Sequence, residues 1–74
     1  MAMNETDAFA TGKRDIAAEY AAIRKAGYTS RAIATMAQSD LAEYERDIAA
    51  CSDDFHRAFL EGCAAACSDV MKRD

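Results

Sequence analysis

Apolar positions in the second half of this 74-residue chain alternate in steps of three and four almost without interruption. Leu41, Tyr44, Ile48, Cys51, Phe55, Ala58 and Gly62 keep that step, and Phe59, Ala66 and Val70 continue the same face. Advancing about 100° per residue, such a pattern lines one side of an α-helix and cannot line one side of a strand. The rest of the chain agrees. It contains no Pro, three Gly, a single Val and 18 Ala, so turn chemistry and β-branched side chains are both too scarce for an all-β fold. No stretch approaches the 18 or so apolar residues of a membrane span.

The expected fold is therefore all-α, a single helical domain over residues 1–74. Phe9, Ile16, Tyr20 and Ile23 mark a first helix at about 6–26. Asn4, Thr6 and Thr11 are candidate N-caps, Arg24 and Lys25 oppose the dipole in the last turn, and Gly27 is placed for a left-handed end. Thr29 or Ser30 caps a short middle helix at about 30–38, edged by Ile33, Met36 and Ala37. Because the stripe stays in phase through Ser52-Asp53-Asp54, the expectation for the remainder is one long helix at about 39–73, with a break near 52 as the alternative. The resulting shape is a helical hairpin with a short middle helix and a long C-terminal one.

Only 17 side chains are large and apolar. A chain of this size hides about 60% of its unfolded surface and is marginally stable alone. Self-association follows as an expectation: a homodimer forming a helical bundle, with Leu41, Tyr44, Ile48, Phe55, Phe59 and Val70 as core or dimer stripe. The N-terminal segment carries acids where a secretion signal needs basic and apolar residues, and three Cys cannot all pair. A cytoplasmic location with free thiols is expected.

Charge is distributed unevenly. Residues 1–37 hold five Lys/Arg against four Asp/Glu, whereas residues 38–74 hold four against nine. Asp40, Glu43, Asp47, Asp54 and Glu61, spaced 3, 4, 7 and 7, would form an acidic ridge along one face of the last helix, roughly opposite its apolar stripe. A row of carboxylates solubilises a small protein, and it also suits docking to a protein partner with a basic surface, such as a nucleic-acid channel. The same charge disfavours direct binding to nucleic acid or to an anionic membrane.

Other chemistry has little support. Cys63 and Cys67 are i,i+4 neighbours, but His56 lies about 10 Å from Cys63 along a straight helix, too far to share one metal ion. No metal or cofactor is expected. With one His and no nucleophile elbow, phosphate loop or zinc-protease motif, no catalytic residues are expected.

One resemblance gives an alternative. Ala26-Gly27-Tyr28-Thr29-Ser30, followed by Ile33-Ala34 and Ser39, resembles the DNA-binding helix-turn-helix, with a Gly-bounded turn, a hydroxyl cap and a Ser opening the next helix. It implies a small transcription regulator using residues 26–45. The usual inter-helix Gly is absent, and the recognition helix would open Asp40-Leu-Ala-Glu-Tyr-Glu, with acids facing phosphate. The leading expectation is a non-enzymatic protein that regulates or inhibits a partner by covering a basic surface.

Overall fold

The computed structural model describes residues 4–73, which form three helices: α1 (Glu5–Lys25), α2 (Ser30–Ala50) and α3 (Asp54–Arg73). Met1 to Met3, on which the reading of the N-terminal segment partly rests, and Asp74 lie outside the described residues.

Each helix begins where a side chain can take up orphaned backbone N–H groups. The Asn4 side-chain oxygen Oδ1 accepts from the Asp7 N–H at 2.8 Å, and Glu5 and Asp7 place negative charge in the first turn of α1. Thr29 Oγ1 accepts from the Ala32 N–H at 3.1 Å to open α2. Asp53 opens α3: its carboxylate accepts from the His56 N–H at 2.8 Å, and its carbonyl from the Arg57 N–H at 2.9 Å. Gly27 ends α1 with φ +104°, a backbone conformation that costs other residues more than glycine.

The division of the second half differs from the sequence expectation. Residues 30–38 are not a separate short helix, and 39–73 is not one long one. Instead α2 runs unbroken through Gln38-Ser39-Asp40, and the chain turns at Cys51-Ser52-Asp53. Without Gly or Pro near Ser39, nothing ends the helix there. At the real corner Cys51 is extended, and Arg57 reaches back to donate to its carbonyl at 2.5 Å while pairing with Asp54 at 2.9 Å. A corner of three residues is close to one helical turn in residue count, so the 3–4 spacing passes through it undisturbed. The same helix removes the second half of the supposed helix-turn-helix, because no turn precedes Asp40.

The order of packing is α1–α3–α2, with α3 against both of the others. Phe9 and Gly12 meet Phe59 to Cys63, while Arg24 and Lys25 border one groove together with Arg73. α1 and α3 therefore run in the same direction and α2 returns. The result is a slab of 38 × 26 × 16 Å.

Two glycines set the α1–α3 distance. A Cβ on Gly12 would stand 2.3 Å from the Phe59 carbonyl oxygen, and one on Gly62 would stand 2.0 Å from that of Phe9. Ala8, one turn before Gly12, is fully buried, as is Ala66, one turn after Gly62, to within 2%. Small residues at this spacing let two backbones touch. Farther along, the helices carry the main core: Tyr20, Ile33, Ala37, Cys67 and Val70, flanked by Ile16, Ile23, Met36, Leu41, Tyr44 and Met71.

Candidate functional site: an acidic cleft between α1 and α2

Of the five ridge carboxylates, Asp40, Glu43 and Asp47 stand on α2, whereas Asp54 and Glu61 stand on α3, beyond the corner. They do not form one ridge. Asp54 pairs with Arg57 in the first turn of its own helix, and Glu61 is exposed elsewhere along α3. The three on α2 do come together, and α1 adds a fourth, Glu19. With Tyr44 these four carboxylates line a cleft of about 190 Å³. Nor do they lie opposite the apolar side. Asp40 is half-buried at its edge, and its carboxylate accepts a hydrogen bond from the buried Tyr20 hydroxyl.

That bond joins α1 to α2 beside the cleft. Burial, followed by the bond to Asp40, raises the Tyr20 phenol well above its ordinary value, so Tyr20 remains a neutral donor. Burial also pushes Tyr44 up to about 12, with the thiols of Cys63 and Cys67 and the carboxylates of Asp40 and Glu19 acting in the same sense. Both phenols keep their protons at neutral pH and add no charge to the cleft. Among the described residues no cation lies within ion-pair distance of Glu19, Glu43 or Asp47. No group of three His, Cys, Asp or Glu side chains among them converges to hold a metal ion. The cleft therefore offers an open negative field rather than a chelate, suited to Lys and Arg side chains arriving from outside.

The apolar stripe is divided in the same way. Val70 is buried, Leu41, Tyr44, Ile48 and Phe59 are half-buried, and Phe55 is 41% exposed. Phe9 is 37% exposed. His56 stacks on Phe59, with ring centroids 6.5 Å apart, and faces solvent.

Cys63 and Cys67 are fully buried, whereas Cys51 is partly accessible at the corner. Burial pushes the Cys67 thiol up to about 11, partly offset by its hydrogen bond with Tyr20, and raises Cys63, partly offset by Tyr44. A buried thiol with a raised pKa is a poor nucleophile. Titration of native protein with a disulfide reagent at pH 7.5 is expected to modify one thiol quickly, Cys51, and the other two only on unfolding. Three equally fast thiols would contradict this packing.

Neither a protein-family model, nor a curated protein, nor a solved structure matches this chain.

Sequence spacing identified Asp40, Glu43 and Asp47 but missed Glu19. In the sequence Glu19 is an ordinary polar position on α1, and only the docking of α1 beside α2 brings it to the others.

Proposed function

We propose that this chain is a non-enzymatic interaction protein that regulates or inhibits a protein partner by covering a basic surface with its α1–α2 acidic face. The observation that carries the reading is the gathering of Glu19, Asp40, Glu43 and Asp47 in one cleft with no cation among the described residues beside them. Neighbouring like charges cost free energy, and that cost is recovered when a Lys- or Arg-bearing surface docks there. A basic nucleic-acid channel has the complementary charge. A cytoplasmic setting belongs to the same proposal, as does self-association through apolar surface that one copy leaves exposed at Phe9 and Phe55.

The test is charge reversal on exposed positions. An E19K/E43K/D47K variant should fold normally by circular dichroism. It should lose at least tenfold in affinity for whatever basic partner the wild type captures from cell extract, and the wild-type complex should weaken steeply with salt. Capture of the same partner by both proteins with equal affinity would refute the masking role. Binding of wild type to random duplex DNA at low salt would favour the transcription-regulator reading instead.

A further inference from the structure

α1 and α2 both rest on α3 and barely touch each other, so a trough runs between them. It has two parts, which share Glu19 and Asp40. One is the acidic cleft of about 190 Å³. The other continues toward the turn between the two helices and is larger, about 480 Å³. From Thr35 to Asp47 the trough follows α2 for about 18 Å, a little over three helical turns.

The two parts differ in chemistry. In the larger one, the half-buried side chains of Ile23 and Met36 present an apolar floor beside the Tyr20 ring. Thr35 and Ser39, the exposed α2 positions along it, are small and leave it open. The other end is negative. Glu19, Asp40, Glu43 and Asp47 line the trough, and no Lys, Arg or His among the described residues does. The cations of the neighbouring turns lie elsewhere: Arg24 donates to Ser30 and borders the α1–α3 groove, and Arg46 borders a groove on the other side of α2, beside Leu41 and Met71. Arg31 stands one turn before Thr35, about 13 Å along α2 from Asp40. α1 and α2 run antiparallel, so their dipoles oppose each other and the side chains set the sign of the field.

A segment laid on an apolar floor must have its backbone N–H and carbonyl groups satisfied. Two helices offer no free sheet edge to an extended chain, whereas a helix arrives with those groups already paired. A helix seated between α1 and α2, opposite α3, also forms the fourth member of a bundle. We propose that the α1–α2 trough seats one amphipathic, basic helix of a protein partner, with its apolar side chains on Ile23 and Met36 and its Lys or Arg side chains against Glu19, Glu43 and Asp47. The proposal rests on the α1–α2 acidic face being the docking face, as proposed above, and adds the form of the element that docks.

The test titrates the whole chain, labelled with ¹⁵N, with a peptide of about 15 residues of Lys, Leu and Ala, patterned as a helix with Leu on one face and Lys on the other. Three companions of equal length serve as controls: the same residues in an order without helical period, Glu in place of Lys, and Lys with Ala alone. The expected result is saturable amide shifts at Ile23, Thr35, Met36 and Ser39 together with Glu19, Glu43 and Asp47. The three companions should bind at least tenfold more weakly. Ser39→Trp and Thr35→Trp fill the trough from exposed positions without changing its charge; with helix content confirmed by circular dichroism, each should lower affinity at least tenfold, and a loss in either supports the seating. E19K/E43K/D47K should lose as much. Loss in the charge reversal with unchanged affinity in both Trp variants would overturn the seated helix and leave the acidic docking face standing. Unchanged affinity in all three variants, or equal binding of the Glu peptide, would overturn both. The seated helix is also overturned by absence of a saturable shift or by equal binding of the aperiodic or the Lys-and-Ala peptide. It is overturned as well if the same amides shift on simple dilution of the protein, since a second copy of the chain would then be the occupant.

Discussion

Gly62→Ala is expected to lower the melting temperature by at least 12 °C and to leave the chain substantially unfolded in mild urea. On an exposed helix the same change is favourable by about 1 kcal/mol, because alanine is the better helix former. Here the new methyl would lie 2.0 Å from the Phe9 carbonyl oxygen, 2.9 Å from its carbon and 3.0 Å from the Lys13 nitrogen. These are backbone atoms of another helix, and no rotamer change moves them aside. α1 and α3 must separate instead, loosening the contacts of Ala8, Gly12 and Cys63 together. Overpacking typically costs about 1–3 kcal/mol and occasionally more, and a clash with backbone at this distance falls at the upper end, about 3 kcal/mol. A domain of this length has roughly 4–11 kcal/mol in total, and each kcal/mol is worth about 4–8 °C. Gly12→Ala should behave alike, its Cβ falling 2.3 Å from the Phe59 carbonyl oxygen. Gly27→Ala is the control: nothing stands within 4 Å of its Cβ, and only the φ of +104° is strained, at about 1 kcal/mol. Thermal melts of the three variants therefore separate interhelical contact from backbone strain. A Gly62→Ala protein more stable than wild type would disprove the close crossing.

Alkaline unfolding is the second large effect. Cys67 titrates at about 11 in the fold, against 9.0 for an unburied thiol, and Tyr44 at about 12 against 10.0. Both groups are neutral when protonated and anionic above their pKa. A folded value above the unfolded one means that the unfolded chain releases its proton first as pH rises. The stabilisation is therefore intact below about pH 9, declines between about 9 and 12, and is gone once the folded groups ionise. The displacement of Cys67 alone corresponds to at most about 3 kcal/mol. Tyr20 and Cys63 are displaced in the same direction. Urea titrations followed by circular dichroism should give similar midpoints at pH 7 and 8, a much lower one at pH 10.5, and loss of helix near pH 12. Cys67→Ser removes one titrating group from the window, so its stability should fall less between pH 8.5 and 11 than that of the wild type. A flat profile to pH 11 in the wild type would mean that these side chains are not buried as described.

Helical class was legible from the spacing of a few residues, and so were some of the ends. Asn4, Thr29 and Gly27 act locally, through an oxygen near a free N–H or through a permitted φ, and each performs its role at its expected position. Asp53 acts just as locally, yet its signal was outweighed by a stripe that kept its phase across the corner. The stripe reports which side of a helix faces apolar neighbours. It does not report whether those neighbours lie farther along the same helix or on a helix folded back.

The acidic site divides along the same line. Asp40, Glu43 and Asp47 follow one another at steps of three and four on one helix, and their clustering needs only helical geometry. Glu19 joins them, and Asp54 and Glu61 leave them, because of where the chain turns and how α1 lies beside α2. The groove between α1 and α3 needs residues 13–25 and 66–73 side by side, which no local pattern announces. By itself the sequence determined what each residue does to its own backbone and its own helix face, since those effects act within about four residues. Tertiary structure alone decided which faces meet, because the close approach of Gly12 to Phe59 and of Gly62 to Phe9, and the corner at Cys51–Asp53, join residues that are remote along the chain and adjacent only once it has folded.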